Sequence, residues 1–304
     1  MSGGPAQGEK LLPHRAPLPP RAPWQRFYGW VHARRRARAL ARAKRLPAPV
    51  ISIGNLHWGG TGKTPMVAAV AAHLRDRGHR VAILSRGYRR SGTGVQIVSR
   101  GEGPLLGPKV AGDEPVLLAG LLPGVAVVVD ADRHRAGLHA VHRLHPAPDL
   151  FLLDDGFSHV ALARDLDLLL FPALDPFAGG RLAPSGRLRE PLASSRHADA
   201  AVLTGRALPP RGPGGEPLGR WLLDCLRPHG FTGVGFAAPT RILAARWVGG
   251  AEGASADGGS LPAGAPVLLV SAIARPARVH DAARAQGFAI VDHLVYPDHH
   301  PYPA

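Results

Sequence analysis

The residues with the clearest chemical purpose are Gly59-Gly60-Thr61-Gly62-Lys63-Thr64. Glycines at such a turn let backbone N–H groups come close to phosphate oxygens. Lys63 places a compact positive charge where the β- and γ-phosphates of a nucleoside triphosphate would lie, and Thr64 offers a hydroxyl to Mg2+. A helix opening at this point adds its positive end. The lysine is itself informative, because the chain uses arginine almost everywhere and has only Lys10, Lys44, Lys63 and Lys109. The segment departs from G-x-x-x-x-G-K-[ST] at its start, where His57 stands in place of the first glycine.

An acidic element lies downstream. Leu150-Phe151-Leu152-Leu153 is an apolar run ending in Asp154-Asp155. In a parallel sheet, strand C-termini share the edge that carries a phosphate loop. A carboxylate there can hold Mg2+ directly or through water, and the residues leave open whether Asp154 or Asp155 does so. Two carboxylates at a strand end are usually an ordinary turn; together with Lys63 and Thr64 they read as a metal site.

These groups need a scaffold, and the periodicity supplies one. Val50–Ile53, Val81–Leu84, Val125–Val129, Leu150–Leu153, Leu166–Phe171 and Ala200–Leu203 are short apolar runs. Pro65–Arg77, Glu114–Leu122 and Asp132–His145 between them have helical spacing. This alternation predicts an α/β fold of the P-loop NTPase type, a mostly parallel sheet with helices on both faces. Residues 206–220 and 249–266 are rich in Gly and Pro and read as loops, with a short helix at Trp221–Leu226 and a strand at Arg241–Val248 between them. Val267–Val270, Pro276–Gln286 and Phe288–Val295 then form a strand–helix–strand unit. The expected organisation is a disordered segment at 1–23, a basic helix at 24–46, a P-loop core at 47–205 and a smaller C-terminal α/β lobe at 206–304.

Composition narrows the class. In 304 residues, 45% are hydrophobic, which excludes wholesale disorder. No apolar run approaches the ~20 residues that span a bilayer, and residues 1–23 lack the apolar stretch of a secretory signal. One cysteine, Cys225, excludes an intrachain disulfide and fits a reducing, cytoplasmic setting. The net charge of +15 is unevenly spread. Residues 1–50 carry 11 basic groups and one acidic group, Glu9, and so hold two-thirds of the excess.

Several further segments, taken with these, resemble the tetraacyldisaccharide 4'-kinase (lipid A 4'-kinase) family. They are residues 49–56, 59–65, Leu84-Ser85-Arg86-Gly87-Tyr88, Gly112-Asp113-Glu114-Pro115, Asp154-Asp155-Gly156-Phe157-Ser158-His159, residues 182–191 and Pro297-Asp298-His299-His300. Their joint order and spacing carry the resemblance, from about residue 24 to the C-terminus. It implies an ATP- and Mg2+-dependent kinase acting on the 4'-hydroxyl of a tetraacylated glucosamine disaccharide 1-phosphate, giving lipid IVA at the cytoplasmic face of the bacterial inner membrane. No obligate protein partner is evident.

Carried onto this chain, the resemblance implies roles by residue. Lys63 and the loop amides hold the β- and γ-phosphates. Thr64 and Asp154 or Asp155 place Mg2+, with Glu114 assisting. Asp113 is the candidate base and His299 its orienting partner. Arg86, His159, Arg189 and Glu190 are candidate contacts to substrate or nucleotide. By position alone, Asp113 reads as a helix N-cap and Arg189-Glu190 as a surface ion pair. Ser158 departs from the family, which usually has Gln there. The chain also stops at Ala304, where the family continues through a further helix and strand, so the small lobe reads as shortened.

The basic helix has three readings. It could be a solvated face, a nucleic-acid contact or a dock for anionic lipid. Trp24, Phe27, Tyr28 and Val31 fall on one face beside the arginines, which favours the lipid surface over nucleic acid. For the whole chain, the alternatives to a kinase are a P-loop switch ATPase binding membrane or protein partners, and an inactive remnant. The absence of an Asn-Lys-x-Asp motif argues against a common GTPase.

Overall fold

The computed structural model describes residues 12–17, 23–206, 208–241, 262, 264–273, 276–297 and 300. Two compact units divide after Thr240. The larger opens with helix α1, Pro23–Leu40. Its strands are β1 (Val50–Asn55), β2 (Val81–Ser85), β3 (Gln96–Ser99), β4 (Ala126–Val129), β5 (Leu150–Asp154), β6 (Leu166–Pro172), β7 (Ala200–Gly205) and β8 (Val234–Pro239). Helices α2 (Lys63–Asp76), α3 (Pro108–Ala111), α4 (Asp113–Leu121), α5 (Arg133–Arg143) and α6 (Leu218–Leu226) connect them. The strands form one sheet in the order β3-β4-β2-β5-β1-β6-β7-β8, with β3 alone antiparallel to its neighbour.

Both faces of the sheet are covered, which is why its strands read as continuous apolar runs. Side chains nonetheless alternate. Ile51, Ile53, Val81, Ile83, Leu150 and Leu152 face one way, into a core shared with α2 and α4. Val50, Ala82, Leu84, Phe151 and Leu153 face the other, against Ala136 and Ala140 of α5. Each fully buried Leu, Ile, Val or Phe contributes roughly 1.5–3 kcal/mol of transfer free energy, so the centre of the sheet is a rigid platform.

Three expectations change. Residues 12–17 lie in the stretch expected to be disordered, yet Leu12 and Ala16 are buried in the core around α6. Trp221 Nε1 donates to the Pro13 carbonyl at 3.0 Å and holds that segment in place. The boundary between units also moves. β8 pairs in parallel with β7 from Ala200↔Val234 to Gly205↔Pro239, so α6 and β8 complete the large sheet instead of founding the small lobe. Finally, α1 stops at Leu40. The Lys44 N–H donates to the Ala161 carbonyl and the Ala163 N–H to the Lys44 carbonyl, pairing that draws the chain out of helix.

In the smaller unit, β9 (Pro266–Ser271), α7 (Ala277–Ala285) and β10 (Ala289–Val295) form the expected strand–helix–strand motif, with β9 and β10 parallel. The strand expected at 241–248 lies, apart from Arg241, outside the described residues. Among the described residues, no helix is long and apolar enough to cross a membrane.

Candidate active site

The phosphate loop leaves β1 at Asn55 and enters α2 at Lys63. Gly62 caps α2 at φ 81°, a left-handed conformation that strains any residue with a side chain. No side chain caps this helix, so its first N–H groups are left for an anion. The loop is braced beneath. Asn55 Nδ2 donates to Thr61 Oγ1 at 2.6 Å, and Thr204 Oγ1 of β7 donates to the Thr61 carbonyl at 2.8 Å. His57, at the missing-glycine position, is 1% exposed and packs edge-on against Phe171. Burial pushes its pKa down to about 4, so it is a neutral wedge under the loop.

The two carboxylates after β5 have different environments. The β1–β5 register sets Asp154, the last residue of β5, beside Ile53, two residues before β1 gives way to the loop at Asn55. Asp154 is 2% exposed, and its Oδ2 accepts from Ser85 Oγ at 3.1 Å. Its Oδ1 is buried without a partner. Burial, with Glu114 and Asp155 nearby, pushes its pKa up to about 6, against the pull of Ser85 and Lys63. A buried carboxylate with an open oxygen beside a second carboxylate fits a hard divalent cation. Among the described residues no three His, Cys, Asp or Glu side chains converge as a metal cage. Mg2+ needs no cage, since one or two carboxylates and the substrate phosphates suffice.

Asp155, by contrast, is already engaged. Arg189 grips it through two hydrogen bonds, one of them at 2.9 Å, and Lys63 Nζ lies 3.7 Å away. Burial alone would raise its pKa, but Arg189 and Lys63 outweigh that and hold it below the ordinary carboxylate value. Of the two carboxylates, Asp154 therefore has the open oxygen, while Asp155 is engaged by Arg189 and Lys63.

Arg189 and Glu190 are not the surface pair that position alone suggested. Arg189 also donates to the Asn55 carbonyl at 2.9 Å, tying the 187–190 segment to the loop. Glu190 is 2% exposed and turns the opposite way, toward α1. Its oxygens accept from Ser158 Oγ at 2.5 Å and Arg36 Nη1 at 3.2 Å, so its carboxylate is occupied by protein. A groove of about 320 Å3 opens here, lined by Tyr28, His32, Arg36, Ser158, Arg189 and Glu190 among others.

The remaining candidates gather at the same sheet edge. Gly112, at φ 95°, lies against Gly87 so closely that a Cβ would meet backbone at 3.2 Å. This contact joins the turn after β2, with Arg86, to the start of α4, with Asp113 and Glu114. Asp113 is exposed at the first position of α4, and the N-cap is Gly112 rather than Asp113. His159 is partly buried with Nε2 unpartnered, and burial followed by the charge of Arg133 pushes its pKa down to about 4. His299 lies outside the described residues.

Two relevant side chains were missed from sequence. Ser85, ending β2, holds Asp154. Arg133, opening α5, is 6% exposed with Nε unpartnered, in the field of Arg86, Asp155 and Asp154. Both sit at C-terminal ends of parallel strands or the turns beyond, so their place at the phosphate edge was available as a signal.

A P-loop kinase is the class that this sheet, loop and half-open carboxylate define. Residues 21–304 match the profile of the Tetraacyldisaccharide-1-P 4'-kinase family. Tetraacyldisaccharide 4'-kinase of Geobacter sulfurreducens is 40% identical over 269 residues, covering 88% of this chain and 70% of the relative. The enzyme of the same name from Pelobacter propionicus is 38% identical over 303 residues, covering 96% and 77%. The solved structure of LpxK from Aquifex aeolicus in complex with ATP superposes with a TM-score of 0.67 at 33% identity, covering 93% of this chain and 84% of that one. The chain belongs to the tetraacyldisaccharide 4'-kinase family.

Proposed function

We propose that the chain transfers the γ-phosphoryl group of ATP to the 4'-hydroxyl of a tetraacylated glucosamine disaccharide 1-phosphate. The observation that carries this reading is the half-partnered, buried Asp154 at the edge where Lys63 and Thr64 open α2. Lys63 and the loop amides hold the β- and γ-phosphates. Asp154 and Thr64 hold Mg2+, with Glu114 supporting; the ion, when bound, neutralises charge on the phosphates. Arg86, Arg133 and His159 face the transferred group or the sugar. Arg189 keeps Asp155 and the loop in place while lining the groove.

Asp113 accepts the hydroxyl proton, an assignment that rests on the family resemblance. Removing a base from in-line transfer leaves the nucleotide site intact, so Asp113→Ala is expected to lower kcat by about 10²–10⁴. The nucleotide affinity of the variant should stay close to that of the wild type. Steady-state kinetics with equilibrium ATP binding checks both halves, and a near-normal turnover would remove Asp113 as the base.

The helix α1 supports surface docking. Trp24, Phe27, Tyr28 and Trp30 are 44–66% exposed, an outward aromatic cluster beside Arg34, Arg35 and Arg38. A buried aromatic stripe with basic flanks suits an anionic bilayer, where each cation adds up to ~1 kcal/mol. Deleting the N-terminus would also remove the buried Leu12 and Ala16, so substitution is the cleaner test. Trp24→Ser/Phe27→Ser/Trp30→Ser is expected to weaken recovery on anionic vesicles by about tenfold or more, with the wild-type signal falling as salt rises. Unchanged sedimentation would sink the docking reading.

A further inference from the structure

Helix α1 turns its rings outward and one of its charges inward. Arg36 is 4% exposed, whereas Phe27 is 66% exposed. The Arg36 guanidinium lies 4.3 Å from the centre of the Phe157 ring, and its Nη1 donates to the Phe157 carbonyl at 3.0 Å and to Glu190 at 3.2 Å. His32 also approaches Glu190, at 3.6 Å, but burial pushes its pKa down. Arg36 is therefore the arginine that is hydrogen-bonded directly to Glu190.

The two groups that Arg36 holds both lead to the phosphate loop. Phe157 lies two residues beyond Asp155 in the turn after β5. Glu190 follows Arg189, whose side chain points the other way and grips Asp155 and the Asn55 carbonyl. These two paths close on the Arg189–Asp155 pair, 3.7 Å from Lys63 Nζ. A buried ion pair is weak evidence for stability as such, since apolar residues of like volume often replace one without loss. Here the geometry gives it another use.

We propose that Arg36 is a positioning residue for phosphoryl transfer: by holding Phe157 and Glu190 from α1, it fixes Asp155 and Arg189, and through them the placement of Lys63. The seat of α1 and the spacing of the phosphate site are thus one mechanical unit. This rests on the assignment of Lys63 to the phosphates.

The test compares wild type, Arg36→Met, Arg36→Met/Glu190→Met and Lys63→Ala for kcat, KM for ATP and thermal midpoint. A displacement near 1 Å at a reacting centre can lower rate by about 10²-fold, and Arg36→Met should lose kcat on that scale. KM for ATP should change by less than about threefold, because the loop amides remain. Arg36→Met strands a buried Glu190 and can fold poorly. The double variant removes both charges and is expected to regain the wild-type midpoint while kcat stays low. Recovery of both midpoint and kcat in the double variant would overturn the proposal, as would wild-type kcat in a folded Arg36→Met. If Lys63→Ala itself turns over normally, the phosphate-site reading has failed rather than the role of Arg36.

Discussion

Lys63→Ala is expected to reduce phosphoryl transfer by at least about 10³-fold while leaving the protein folded. The ammonium sits at the first position of α2, 15% exposed and 3.7 Å from Asp155, so it is aimed before substrate arrives. Charge that develops on the transferred group meets a donor needing no reorganisation, the arrangement in which one donor has the most leverage. Folding loses little because Arg189 still compensates Asp155 through two hydrogen bonds. Lys63→Arg should fare almost as badly, since a planar fork does not fill the place of a compact ammonium. Labelled transfer measures the first effect and the thermal midpoint the second. Activity of Lys63→Ala within about tenfold of wild type would contradict the assignment.

Asp154→Asn is expected to separate stability from function. Transfer should fall by about 10²–10³-fold, because the amide cannot give Mg2+ the carboxylate charge. The metal-free protein should become more stable. Asp154 has a folded pKa near 6, above its unfolded 3.8, mainly because burial penalises the charge. A group with that sign contributes stability that is full below the unfolded value and is lost as pH rises through about 6. At pH 7.5 the metal-free wild type therefore carries a penalty on the order of 3 kcal/mol that Asn lacks. The midpoint difference between Asp154→Asn and wild type in chelator should be clear at pH 7.5 and largely lost by pH 4. Equal midpoints at both pH values would mean that Asp154 is not held charged in an apolar site.

Much of this arrangement was legible in the chain. Strand–loop–helix around Gly59–Thr64 and the apolar run into Asp154 both announce themselves locally, because neighbours in sequence make the structure there. β3 and β8 did not. Gln96–Ser99 is short and mixed in polarity, and Val234–Pro239 owes its strand to pairing with β7 rather than to its own residues. The pairing of β8 with β7 is also why the boundary between units lies after Thr240 and not near residue 205.

The site was legible in type but less so in pairing. Sequence placed Asp154 and Asp155 together and could not divide their roles. Arg189 gives them different surroundings, and it arrives from 34 residues away. Glu190 read as an exposed group facing substrate, but its partner Arg36 is 154 positions distant on a helix whose arginines looked alike. Trp221 anchors Pro13 across 208 positions, which no local pattern reveals. Contacts between remote segments are settled by packing, and a single sequence carries little trace of them.

The function proposed for this edge of the sheet is transfer of a phosphoryl group from ATP to a lipid-linked sugar. The most direct measurement supplies γ-labelled ATP, Mg2+ and tetraacyldisaccharide 1-phosphate in detergent micelles to the wild-type protein. Label is expected on the lipid, at the 4'-position, in amounts that require Mg2+. Label released only as inorganic phosphate, with none on the lipid, would contradict it.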